Sequence, residues 1–345
     1  MLVLLVGRDA LGLDRSSATF YRWRSFVDAG IRLVCVISAR KRMNLDDGDL
    51  RVISSGGRNV FVRLFRTLSL IIQEGKHVDL ISVQDPFELG IIAYIVAMIY
   101  RKPLEVQDHG GFFDGEDPGE PFWWLRRHMA MFLLRKTQLI RTVSPGSLER
   151  LCRLGFGNKV VFIPIAAHER YEHVKRTPEK YHIITIGRLI PIKRHDLLIH
   201  AFSIFAKDKP EARLSILGDG PEKERLQRLI VDLNLSNRVS LLGNTDPLIW
   251  LKKADCFVMP SRHEGWGVAA VEAASVGVPV VMTNTGCAQW LVSHKRALVV
   301  DVDCSPRQLA DMIDRACSEP FSDHSFLQLP QIPSQILAWK QMIQN

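Results

Sequence analysis

Short apolar runs alternate with longer stretches whose apolar positions recur at helical spacing, and the alternation continues through nearly the whole chain. In the first half the runs 2–6, 33–37, 80–83, 104–107, 139–143 and 160–163 read as strands, with helical patterns at 88–100, 122–135 and 147–154. The pattern breaks over 166–180 into His, Glu, Arg, Lys and Pro with little apolar content, which marks a linker. A second series then restarts, with strands at 183–186, 214–217, 239–242, 256–259, 278–282 and 297–300. Helical patterns at 196–206, 222–233, 248–253, 268–276 and 306–317 fall between them. Continuous apolar strands joined by crossover helices predict parallel sheets covered on both faces. The expected architecture is α/β, with two Rossmann-like doubly wound domains facing a central cleft. Their expected bounds are 1–170 and 171–325, and a C-terminal segment, 326–345, carries a short helix (332–343) packing back across the domains. Ligands of such sheets bind beyond the carboxyl ends of the strands.

Composition narrows the class. The chain has 345 residues, 47% hydrophobic and 24% charged, as in a soluble globular protein large enough for two domains. The net charge of +8 is unevenly shared: residues 1–175 hold 25 Lys and Arg against 19 Asp and Glu. A basic first half suits an anionic partner, and equally a solvated surface of ordinary variance. The arginines are dispersed and form no nucleic-acid module, so no nucleic-acid partner is expected. Six cysteines without metal-ligand spacing read as small buried hydrophobes in a reducing compartment. The amino terminus has no basic region ahead of its short apolar run, and no run reaches the ~18–20 residues of a spanning helix. The expected location is the cytoplasm, with attachment to the inner face of the membrane left open.

Three segments carry chemistry. The first runs Pro260-Ser261-Arg262-His263-Glu264-Gly265-Trp266-Gly267-Val268, then into a helix containing Glu272. Gly265 and Gly267 let the backbone approach a ligand, and the free amides and dipole of a helix start form a phosphate site. Glu272, two turns in, is placed to accept hydrogen bonds from a ribose. The second, Thr185-Ile186-Gly187-Arg188-Leu189-Ile190-Pro191-Ile192-Lys193, also leaves a strand for a helix. Gly187 opens space, and Arg188 and Lys193 supply two cations that stabilise the charge developing on a departing diphosphate. The third is Val106-Gln107-Asp108-His109-Gly110-Gly111, which puts His109 at a strand end.

These residues resemble family 4 retaining glycosyltransferases of the GT-B fold. The marks are Glu264 and Glu272 with seven residues between them, the Gly187–Lys193 loop, Leu217-Gly218-Asp219-Gly220-Pro221, and Gly277-Val278-Pro279-Val280-Val281. Val83-Gln84-Asp85-Pro86-Phe87 and the His109 segment are similar to bacterial members that build surface polysaccharides. The resemblance implies that Arg188 and Lys193 bind the donor diphosphate and that Glu272 binds the ribose. It implies that Glu264, with the Gly265, Trp266, Gly267 and Val268 backbone, holds sugar hydroxyls and the distal phosphate. His109 would then hydrogen-bond the donor sugar near its reacting carbon. The implied donor is a nucleotide-diphosphate sugar, the acceptor a glycan or lipid-linked molecule, and the transfer requires neither cofactor nor metal. Three departures stand out: Gly7 and Gly12 replace paired glycines, Arg194 stands where glycine usually follows the lysine and adds a third cation, and Asn284–Gln289 replaces a Gly-Gly-x-x-Glu segment.

Other readings remain. Glu264 and Glu272 also fit as surface charges at a helix start, and His109 as a satisfied core group. The Asp47-Gly48-Asp49 and Asp301-Val302-Asp303 patterns are read as polar loops rather than Mg²⁺ sites, since magnesium needs carboxylates converging with substrate phosphates. The aromatic and cationic segment 122–136 fits either a helix in a lipid headgroup region or a core helix with a basic face. Epimerisation of a nucleotide sugar would need an acid/base pair, for which Asp85, Asp108 and Asp114 are the candidates; a non-catalytic module is the third alternative.

Overall fold

The computed structural model describes residues 1–344 except 16, 85, 111–122, 166, 168, 172, 173 and 320–330. The chain divides into two compact units, one of 1–164 with 330–345 and one of 165–329.

The first unit runs β1 (Leu2–Gly7), α1 (Ala18–Asp28), β2 (Arg32–Ile37), β3 (Arg42–Asp47), β4 (Leu50–Ser55), α2 (Val60–Gly75), β5 (Leu80–Val83) and α3 (Glu88–Tyr100). It continues with β6 (Leu104–Asp108), α4 (Trp123–Lys136), β7 (Leu139–Thr142), α5 (Pro145–Leu151) and β8 (Val160–Phe162). The sheet order is β3-β4-β2-β1-β5-β6-β7-β8, parallel throughout except for the β3–β4 pair. Side chains alternate across a strand, so β1 serves two cores. Leu4 and Val6 pack with the α2–α4 layer, while Val3 and Leu5 pack with α1. The β3–β4 hairpin is absent from the sequence pattern because Arg42–Asp47 is an exposed edge strand with one buried side chain, Leu45. Asp47-Gly48-Asp49 is therefore a hairpin turn and not a free polar loop. Asp47 is bound by Arg24 at 2.6 Å.

The second unit runs β9 (His182–Ile186), α6 (His195–Phe205), β10 (Arg213–Leu217), α7 (Lys223–Asp232), β11 (Val239–Gly243) and α8 (Pro247–Leu251). It continues with β12 (Cys256–Met259), α9 (Val268–Ser275), β13 (Val280–Thr283), α10 (Ala288–Ser293), β14 (Ala297–Val300) and α11 (Pro306–Ser318). Its order is β11-β10-β9-β12-β13-β14, all parallel. The order reverses between β9 and β12, and a crevice opens at such a switch point. Part of the expected linker belongs to this unit: Tyr171, in a short 3-10 turn, is almost fully buried.

A last helix, α12 (Gln331–Gln344), belongs to the first unit. It covers the α1 side of the sheet, where Trp339 meets Phe26 at 5.2 Å between ring centroids.

Candidate functional site

The loops after β9 and β12 flank the switch point of the second unit, which is why two segments 70 residues apart in sequence meet there. The Arg262 amide donates to the Ile192 carbonyl at 2.8 Å and ties one loop to the other. Lys193 Nζ lies 2.6 Å from Glu264 Oε1, which also accepts from Ser261 Oγ at 2.6 Å. Thr283 Oγ1 in turn donates to the Ser261 carbonyl. Glu264 Oε2 has no partner among the described residues and is free to accept a ligand hydroxyl. Gly187 leaves space beside the pair, since a Cβ there would come no nearer than 3.9 Å to Lys193 or His195. Arg188 is exposed, and its guanidinium has no ion pair or hydrogen bond among the described residues.

The Gly218–Pro221 motif braces this loop from behind. Leu189 donates to Asp219 O at 3.0 Å and Gly187 to Leu217 O at 2.9 Å. A Cβ on Gly218 would sit 2.0 Å from the Gly187 carbonyl oxygen, and its φ of +129° suits glycine alone. Arg194 occupies the left-handed region at φ 52°, the conformation that explains a glycine at this position. Its guanidinium donates to the Val302 carbonyl, so it braces the Asp301–Asp303 turn instead of adding a third cation beside Lys193. His195, buried behind Lys193, donates from Nε2 to the Arg188 carbonyl at 3.3 Å. Burial, reinforced by Lys193, pushes its pKa down to about 4, so it is neutral.

Helix α9 starts at Gly267, whose φ of 91° turns the chain into the helix, and no side chain caps its first amides. Gly265 is not among the positive-φ glycines, so the backbone demand falls on Gly267 alone. Val268 opens the helix and is half-buried. The Trp266 ring is buried and donates from Nε1 to Ile165 O at 2.9 Å, so its side chain packs the loop and only its backbone is left to a ligand. Gly286 abuts this loop: a Cβ there would lie 2.5 Å from Trp266 O. The departing segment Asn284–Gln289 thus supports the Glu264 loop. Glu272 is buried near Tyr171 and Arg170. Burial, with the Glu272 charge adding to it, pushes the Tyr171 hydroxyl up to about 12, and that hydroxyl accepts from Arg170 at 3.0 Å.

In the first unit, His109 follows β6 and sits on a polar network that sequence reading did not find. Strand alternation puts Glu105 and Gln107 on the α12 side of the sheet, away from Leu104 and Val106. Glu105, fully buried, accepts from Ser82 Oγ, Gln335 Nε2 and Trp339 Nε1, the last at 2.9 Å. Gln107 donates to Ser82 Oγ at 2.7 Å, which turns its Oε1 toward Arg141 at 3.3 Å and His109 Nε2 at 3.1 Å. A guanidinium only donates, so Gln107 Oε1 is an acceptor there and His109 Nε2 carries the proton. Nδ1 is left as a lone-pair acceptor with no partner among the described residues. Desolvation, with Arg141 and Arg22 adding repulsion, pushes the His109 pKa down to about 3. The sequence signal was Glu105 and Gln107 alternating with Leu104 and Val106 in an interior strand. Asp108 is committed to Gly110 N and Thr142 Oγ1, both at 3.1 Å, while Asp85, Asp114 and Gly111 lie outside the described residues.

Gly7 and Gly12 fill packing roles. A Cβ on Gly7 would strike Gln84 Oε1 at 2.3 Å, and one on Gly12 the Trp23 ring at 2.0 Å.

The chain has the GT-B fold. It superposes over its whole length on sucrose-phosphate synthase from Thermosynechococcus elongatus, covering 94% of that chain with a TM-score of 0.77 at 16% identity. HepE from Anabaena, solved in complex with UDP, matches over 100% of this chain and 98% of its own, with a TM-score of 0.72 at 19% identity. Residues 169–328 match the family model of glycosyl transferases group 1. The lipopolysaccharide core biosynthesis glycosyltransferase LpsE of Rhizobium meliloti is 32% identical over 176 residues, 49% of this chain and 51% of LpsE. The chain spans about half or less of the length of the first curated relatives it matches.

Proposed function

We propose that the protein is a retaining glycosyltransferase that moves a sugar from a nucleotide-diphosphate sugar to a glycan or lipid-linked acceptor of surface polysaccharide synthesis. The observation that carries this reading is the Lys193–Glu264 pair, set at the switch point beside the uncapped start of α9. Arg188 and Lys193 take the diphosphate and stabilise its charge as the glycosidic bond breaks, a task that fixed cations perform without reorganisation. Glu264 Oε2 and the Gly265–Val268 backbone receive the sugar hydroxyls and the distal phosphate, and Glu272 the ribose. His109, neutral and fixed by Gln107, accepts a sugar hydroxyl at Nδ1. The leaving phosphate assists deprotonation of the acceptor on the same face, so the anomeric configuration is kept. Side chains supply the cations, and the reading requires no metal. The likeness to LpsE supports the polysaccharide role, and the segment 122–136 offers a contact with the membrane that carries a lipid-linked acceptor.

The test is a panel of nucleotide sugars, read by melting temperature and by donor hydrolysis without acceptor. At least one donor raises the melting temperature by mass action. Lys193→Ala and Glu264→Ala each lower turnover by roughly 10²–10³-fold, as losing a preorganised charge partner does. A panel in which every donor is inert and none shifts melting overturns the reading.

A further inference from the structure

Helices α2, α3 and α4 lie side by side over one face of the first unit's sheet, and their outer surface is unusually apolar. Among the described residues, more than half of the exposed large apolar side chains lie on these three helices. Phe61 and Phe65 on α2 are 76% and 72% exposed, and Met98, Ile99 and Trp124 stand out from α3 and α4. Phe61, Phe65 and Ile72 fall on one stripe, since positions 4 and 11 residues apart return to nearly the same side of a helix. Helix α3 holds Glu88 as its one charged residue, and the rest of its sequence is apolar nearly all round. A contiguous apolar surface of this kind marks a contact with another phase or partner.

Charge identifies the partner. Two cavities border the apolar face, and both are cationic. One, of about 510 Å³, lies between α2 and the β3–β4 hairpin and is lined by Arg42, Arg51 and Arg66. Arg51 is held by Glu74, while Arg42 and Arg66 have no carboxylate partner among the described residues. The buried Ser55 hydroxyl on its wall makes no hydrogen bond. The other, of about 420 Å³, is lined by Arg101, Lys102 and Lys136 at the far ends of α3 and α4. Apolar side chains flanked by unpaired cations suit an anionic lipid surface, where acyl chains meet the former and phosphate headgroups the latter.

We propose that the α2–α4 face docks on an anionic membrane, with Phe61 and Phe65 entering the acyl boundary and the Arg42–Arg66 cavity taking a lipid phosphate. This extends the contact suggested for 122–136 and moves its centre to α2. It does not depend on sugar transfer, because binding is read without donor or acceptor.

The experiment is sedimentation of the full chain with vesicles of phosphatidylcholine, with and without phosphatidylglycerol. The unaltered protein pellets with the anionic vesicles, and added salt weakens the binding. Phe61→Ser with Phe65→Ser weakens it by ~10–100-fold, as withdrawing two aromatic side chains from the acyl boundary should. Arg42→Gln with Arg66→Gln removes the preference for phosphatidylglycerol. Hydrogen exchange on the unaltered chain slows in α2 when vesicles are added, a readout that needs no variant. Full binding by both double variants overturns the proposal, as does loss on Trp124→Ser alone, which would leave only the 122–136 contact. A dimer in solution that the phenylalanine variant dissociates, with no vesicle binding, assigns the face to a second copy and also overturns it.

Discussion

A carboxylate that holds a cation must release it, or share it, when a diphosphate arrives. Glu264 does this at one oxygen and keeps the other open. Glu264→Gln keeps a hydrogen-bond acceptor but releases Lys193, so it is expected to retain more sugar selectivity than Glu264→Ala while losing turnover; KM and kcat measured separately across donors check this. His109 makes the second residue-scale case. With a pKa of about 3 it cannot supply the acid limb of a pH–rate profile above about pH 4. Gln107→Glu puts a carboxylate at the Nε2 proton and raises that pKa, because a nearby opposite charge favours the imidazolium. Nuclear magnetic resonance titration of the ring checks the shift. Rings that titrate alike in both proteins would remove Gln107 from the role given to it. The residues legible in sequence were those whose type alone signals chemistry: Lys193, Glu264, His109. Ser261, Thr283, Gln107 and Arg141 were not, because their roles lie in the group they hold, and pairs 22 to 34 residues apart gave no local signal.

At the scale of elements, most strands were readable because a sheet buried on both faces needs continuous apolar runs, whereas α1, α2 and α10 were not among the helical patterns read. The β3–β4 hairpin was not readable, since an edge strand exposed on one side carries no such run. The Gly218 turn shows how an element end is shaped by its neighbour. Gly218→Ala would drive a methyl into the Gly187 carbonyl and force a left-handed φ, so destabilisation above about 1 kcal/mol is expected. Urea unfolding of the variant measures it. A second observation separates position from stability: donor affinity should fall as well, because the Gly187–Lys193 loop rests on that turn.

For the whole molecule, α12 belongs to the first unit although it closes the described chain. Trp339→Ala leaves a cavity beside Phe26 and strips Glu105 of a donor, which is expected to destabilise that unit by about 3–5 kcal/mol. Limited proteolysis should then open 1–164 before 165–329. Acid acts on both units. His109 and His195 are held neutral, with pKa values of about 3 and about 4 against an ordinary 6.5. As pH falls below 6.5 the unfolded chain takes up protons that the folded chain refuses, so stability declines down to about pH 4 and then pH 3. Urea midpoints between pH 7 and pH 4 should fall, and His195→Gln should flatten the slope.

Most of the strands, the two α/β series and the pair of loops bearing Lys193 and Glu264 were determined by sequence, because burial period and residue chemistry are local properties. Tertiary structure alone decided which loops became neighbours. The switch between β9 and β12 brings Lys193 to Glu264, strand alternation turns Glu105 and Gln107 toward α12, and a left-handed backbone sends Arg194 away to Val302. Such contacts depend on distances across the sheet, which no run of adjacent residues encodes.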